Sequence, residues 1–181
     1  SYQLILLKPI VRPLQMFFLR KENQFKDYNK YKKTIDKLSG NTILAKTYAS
    51  LTQLEYLLQV YMKICFSQIF SKNLIICDRY YYDVFVSLAL TLSYNDDELI
   101  RKINNFSKLC PKPDVAYYVD IKEDVAYNRK NDIPSIQYLK QRRRLYLLLA
   151  QKYDMKILNG ECDPNDNATR IMSNLFVRGV V

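Results

Sequence analysis

The chain has 181 residues, 49% of them apolar and 25% charged, with a net charge of +10. That suits one soluble domain with a core of its own rather than a disordered or fibrous chain. With no histidine, Ser-His-Asp triads, Cys-His dyads and His-ligated metals are excluded. Only Gly40, Gly160 and Gly179 occur where average usage gives about thirteen glycines, so no phosphate loop or dinucleotide fingerprint written in glycines can be present.

The four cysteines lack C-x-x-C spacing and read as buried free thiols rather than disulfides. No apolar run approaches a membrane span and no export signal opens the chain, so the expected address is the cytoplasm. The positive charge points to polyanionic partners: nucleotide phosphates, nucleic acid or an anionic surface.

In chain order, Tyr2–Lys8 is a short apolar run stopped by Pro9, a buried-strand candidate. Leu14–Arg20 reads as a brief helix and Lys21–Lys37 as a loop or exposed helix. From Ile43 to Phe70 the apolar residues Leu44, Tyr48, Leu51, Leu54, Leu58, Tyr61, Met62, Cys65 and Ile69 fall at helical spacing. Asn73–Cys77 is a second buried-strand candidate. Helices are expected over Tyr82–Leu92 and Asp96–Leu109, the latter started by Asn95, Asp96 and Asp97. Pro111 and Pro113 lead into a strand at Val115–Asp120. A helix at Glu123–Lys130, a break at Asn131–Pro134, a Ser135-capped helix to Lys152, a strand at Met155–Leu158 and a helix at Asn165–Val177 follow.

Strands separated by crossover-length helices predict an α/β fold, a mostly parallel sheet covered by helices on both faces as a three-layer sandwich. The whole chain is expected to be one domain. Ligands of such sheets bind beyond the carboxyl ends of the strands. The residues there are Lys8 and Arg12, Asp78 and Arg79, Asp120 to Lys122, and Asn159 onward.

The sharpest local signal is N-L-I-I-C-D-R-Y at Asn73–Tyr80. Its arginine can grip a phosphate bidentately, and its aspartate can hold that arginine or a hydrated Mg²⁺. A structural ion pair at the strand end is the competing reading. P-K-P-D-V-A-Y-Y-V-D at Pro111–Asp120 follows, trailed by Glu123, Arg129 and Lys130. Q-R-R-R-L-Y-L-L-L-A at Gln141–Ala150 comes last. Successive helical residues point about 100° apart, so at most two of Arg142, Arg143 and Arg144 face one site.

D-R-Y, then P-K-P-D-V-x-Y-x-V-D, then an acidic-start helix ending in Arg-Lys, then R-x-x-Y-x-x-L-A: this order resembles the thymidylate kinase family. The resemblance spans roughly Asn73 to Leu175, with weaker likeness back to Tyr2. It implies a P-loop-type nucleoside-monophosphate kinase, which uses ATP and Mg²⁺ to phosphorylate a deoxynucleotide, dTMP or a related acceptor. On that resemblance Arg79 contacts phosphate, and Asp78 orients it or the Mg²⁺ shell through water. Arg129–Pro134, with Lys130, stands in the place of the lid. Arg142 or Arg143 neutralises the moving charge, and Asn159–Cys162 lies near the adenine. Lys8 or Arg12 stands near the family's basic residue after the second strand. Tyr80, Asp83 and Tyr48 are carried as acceptor-site candidates, although Tyr48 also fits its helix's apolar stripe. A homodimer is the family expectation, with the Ile43–Phe70 helix as its surface.

The chain departs from the family in three places. It lacks the first strand and the G-x-x-x-x-G-K-[ST] loop, so it is read as N-terminally incomplete and not expected to turn over ATP efficiently as it stands. Natural loss of the loop is the alternative. Gln53-Leu54-Glu55-Tyr56 carries no arginine where relatives have one, and Asp83 replaces a small hydroxyl residue, so dTMP as acceptor is in question. The competing function is a catalytically inactive, basic nucleotide- or nucleic-acid-binding module. A membrane-surface role is disfavoured because the Lys30, Lys32 and Lys33 cluster has no apolar face.

Overall fold

A computed structural model describes residues 42–65, 74–129, 133 and 135–177. The strand expected at Tyr2–Lys8, the helix at Leu14–Arg20, the polar stretch Lys21–Lys37, Arg12 and Lys130 lie outside them. The described residues are mostly helical, with a small parallel sheet of two strands, a loosely α/β arrangement.

The elements are α1 (Thr42–Val60), running into a π-helical turn at Tyr61–Cys65, then α2 (Tyr81–Leu92), α3 (Asp96–Phe106) and β1 (Tyr117–Asp120). After these come α4 (Glu123–Arg129), α5 (Ile136–Lys152), β2 (Lys156–Asn159) and α6 (Pro164–Val177). They fall into two compact units. One holds the described residues of 42–65 and 78–112, the other those of 74–77 and 113–177.

In the first unit α2 is apolar nearly all round, the pattern of a helix enclosed by others. Tyr81, Val84, Phe85, Val86, Leu88, Ala89 and Leu92 are all buried. α3 has the opposite character: Leu99, Ile103 and Phe106 form one buried stripe on an otherwise polar helix. Phe106 meets Phe85 edge-on at 5.2 Å between centroids. Asn95 caps α3, its Oδ1 accepting the Glu98 N–H at 2.8 Å, as the start signals predict.

Two sequence expectations are corrected in this part of the chain. The core face of α1 is Ala49, Thr52, Glu55, Tyr56 and Val60, whereas Leu54, Leu58, Tyr61 and Met62 are exposed. Part of the apolar stripe thus faces outward, while Tyr48, Leu51 and Cys65 on the same spacing are half-buried. Leu74–Cys77 is no buried strand either: it forms no regular element, and Leu74, Ile76 and Cys77 are exposed, Ile76 to 84%. A strand exists only through its ladder, and among the described residues only β1 and β2 form one.

In the second unit β1 and β2 pair in parallel, Tyr117 opposite Lys156 through Asp120 opposite Asn159. A parallel pair requires a crossover, here α4 and α5. Ser135 caps α5, its hydroxyl accepting the Tyr138 N–H at 3.2 Å. Leu145, Leu149 and Ala150 turn the buried face of α5 inward. The matched register sets the carboxyl ends of both strands, Asp120 and Asn159, side by side.

Candidate functional site

Beyond those strand ends the second unit gathers its charged groups. Arg143, reaching from α5, meets Asp120 as a fork: Nε donates to Oδ1 at 2.7 Å and Nη2 to Oδ2 at 2.8 Å. Its remaining nitrogen, Nη1, donates to Glu123 Oε2 at 3.1 Å. Tyr118, two residues before Asp120 and therefore on the same strand face, donates its hydroxyl to Asp120 Oδ1 at 3.2 Å. The bonds from Arg143 hold the Asp120 carboxyl below the usual carboxylate range. The same bonds raise the Arg143 guanidinium further, and burial pushes the Tyr118 phenol up. Arg143 therefore presents its fork to two carboxylates and fastens the end of β1 to α4 and α5.

Arg142 sits differently. It donates to the Tyr138 hydroxyl at 2.9 Å and the Tyr146 hydroxyl at 3.4 Å, one turn away on either side, and lies 5.6 Å from the Tyr146 ring centre. Tyr146 stacks in turn on Tyr118, nearly parallel at 5.2 Å. Arg144 is exposed, as the rotation per residue requires.

The exit of β2 is built around Gly160. Its N–H donates to the Asp120 carbonyl at 2.6 Å, continuing the ladder, and its carbonyl accepts from Arg129 Nη1 at 3.0 Å. A Cβ here would stand 2.9 Å from the Asp120 carbonyl oxygen and 3.0 Å from Val119 Cγ1. The Asn159 side chain accepts the Glu161 N–H, shaping the turn, and its carbonyl accepts from Asn167 Nδ2 at 2.7 Å. Arg129 is thereby tied to the turn after β2.

The first unit carries Asp78 and Arg79. Three non-glycine residues among those described have positive φ: Arg79 (58°), Ser93 (55°) and Asp154 (50°). Ser93 and Asp154 end α2 and α5 with bonds from Tyr94 N–H to the Ala89 carbonyl and from Met155 N–H to the Ala150 carbonyl. Those are Schellman-type stops, which ordinarily use glycine. Arg79 stops no helix; it precedes one. From this left-handed position its Nη1 reaches Asp83 Oδ2 at 3.8 Å, with Arg79 half exposed and Asp83 nearly covered.

Tyr80 packs against Tyr81 at 4.6 Å and spends its hydroxyl on the Pro111 carbonyl at 2.9 Å. Tyr48 is half-buried; burial raises its phenol, and its side chain bonds to Thr52 one turn on. Asp78 is exposed. Among the described residues no three His, Cys, Asp or Glu side chains gather in a metal-binding group. A Mg²⁺ carried on ATP needs only one or two carboxylates beside phosphate and water, so Asp78 fits a water-mediated role.

Sequence reading placed Asp120 and Asn159 at the strand ends and the three arginines on a helix, but missed three features. The fork joins residues 23 positions apart, and no spacing rule announces it. The contribution of Tyr118 could have been found from period-two alternation. Gly160 could have been singled out as one of only three glycines, standing directly after a strand. No family model and no solved structure matches this chain.

Proposed function

We propose that this protein is a nucleoside-monophosphate kinase of the thymidylate kinase type, built on a P-loop-kinase-like three-layer α/β sandwich and transferring the γ-phosphoryl group of ATP to a deoxynucleoside monophosphate. The observation that carries the reading is the left-handed backbone of Arg79. An L-residue held there costs about 1–2 kcal/mol. Such strain persists where a side chain must be aimed, and here it falls on the arginine of the D-R-Y motif.

In this reading Arg79 contacts phosphate and Asp78 orients the water shell of the ATP-borne Mg²⁺. Arg142 or Arg143 neutralises the charge that moves in transfer. Arg129 and Lys130 belong to the lid, Asn159 to the adenine side, and Arg12, Tyr80, Asp83 and Tyr48 to the acceptor side. Phosphoryl transfer also requires a cradle of amides for the ATP phosphates, which the three glycines of this chain do not write.

The test is a transfer assay on the protein as encoded from its start codon, with ATP, Mg²⁺ and each deoxynucleoside monophosphate in turn. Transfer to one acceptor, lost in Arg79→Ala, is the expected result. Silence with every acceptor, in a protein shown to carry a phosphate loop, rejects the kinase.

The composition of α5 favours a second reading, a basic binding module without catalysis. That helix contains Lys140, Arg142, Arg143, Arg144 and Lys152 and no acidic residue. The module reading requires binding to single- or double-stranded nucleic acid that needs no Mg²⁺ and weakens steeply with salt. Absence of binding at low salt removes it.

A further inference from the structure

Asp83 occupies the first turn of α2, four residues after Arg79, with its side chain 10% exposed against 51% for Arg79. The two charges face each other at 3.8 Å. Asp83 is fixed by its helix and its burial, so it cannot withdraw when a ligand arrives. Arg79 has its open side toward solvent and its backbone already set at φ 58°. From Asp78 to Asp83 the turn holds two carboxylates and one guanidinium, a net charge of −1.

We infer that Asp83 is a specificity-determining residue that weakens the grip of Arg79 on an acceptor's phosphate, so that the nucleoside part of the acceptor supplies most of its binding. The inference rests on the reading of Arg79 as a phosphate contact. A phosphate bound to the open side of the guanidinium meets a cation already partly compensated, and it must also tolerate the buried carboxylate beside it. A neutral side chain at position 83 would leave the whole charge of Arg79 for the ligand. The compensation is modest, because pairs with one partner this exposed are worth only a fraction of their Coulomb energy.

The test is calorimetric titration of the protein as encoded, without ATP, using inorganic phosphate, dTMP and thymidine as probes at one ionic strength. Asp83→Asn should tighten phosphate and dTMP about two- to fivefold and leave thymidine unchanged. Asp83→Ser should act in the same direction. In Arg79→Ala the substitution at 83 should have no effect on either anion. An unchanged or weakened anion affinity in Asp83→Asn overturns the inference, as does equal tightening of thymidine and dTMP, or no binding of any phosphate-bearing probe to either protein. The readout needs no phosphoryl transfer. An anion effect without transfer would therefore reject the kinase alone, and transfer without an anion effect would reject only the role of Asp83.

Discussion

Arg79, Ser93 and Asp154 share a backbone conformation but not a reason for it. Ser93 and Asp154 terminate helices in a chain poor in glycine, so glycine should improve them. Ser93→Gly is expected to stabilise the protein by about 0.5–1 kcal/mol, the left-handed penalty less the extra freedom glycine gains when unfolded. Arg79→Gly should bring a similar gain in stability by urea denaturation while, on the proposed kinase reading, abolishing phosphoryl transfer by the protein as encoded. A gain in stability joined to a loss of activity marks strain kept for function, whereas loss of both would mark Arg79 as structural. Gly160 behaves in the opposite way. Its missing Cβ is required by the Asp120 carbonyl at 2.9 Å, a backbone atom that cannot step aside cheaply. Gly160→Ala is expected to cost about 1–3 kcal/mol by urea denaturation.

Among the elements, the end of β1 shows how a helix and a strand are locked together. Arg143 spans Asp120 and Glu123, and its bonds depress the Asp120 carboxyl when the chain is folded. A depressed carboxyl stabilises the fold at pH above its unfolded value of about 3.9, and that stability is lost as pH falls through the lower folded value. Thermal midpoints followed from pH 6 to pH 2 should therefore drop more steeply in the wild type than in Asp120→Asn. At neutral pH the same substitution should cost about 1.5–3 kcal/mol, the worth of a hydrogen bond to a charged group. Parallel pH profiles would show that the fork contributes nothing. The caps were legible in advance: Asn95 and Ser135 stand where Asx and serine residues precede apolar periodicity, and both bond as that pattern requires. The outward direction of the α1 stripe was not legible, because spacing shows that two faces differ but not which one a neighbour will cover.

Over the whole molecule, Leu54, Leu58, Tyr61 and Met62 form an exposed apolar set on α1 and the turn that follows it. These positions follow one another at helical spacing, as the homodimer implied by the family resemblance would require of this helix. Each leucine, if buried in such an interface, contributes about 1.5–3 kcal/mol. Leu54→Glu with Leu58→Glu should convert a dimer to a monomer in sedimentation equilibrium and leave the helical circular dichroism unchanged. A wild type that sediments as a monomer rejects the dimer. Among the described residues no helix is long and apolar enough to cross a membrane.

By itself the sequence determined what depends on local order: the caps at Asn95 and Ser135, the β1 and β2 segments, the exclusion of histidine and glycine-loop chemistry, and the residues that stand after those two strands. Such features follow from one stretch of chain and its own backbone geometry. Tertiary structure alone decided the rest. Leu74–Cys77 has the composition of a strand, but a strand needs a partner to bond with, and composition names none. Asp120 and Arg143 are both charged at any separation in sequence. Only the parallel pairing of β1 with β2, with α5 in the crossover between them, sets a carboxylate and a guanidinium 2.7 Å apart and commits the middle arginine of three to holding the strand.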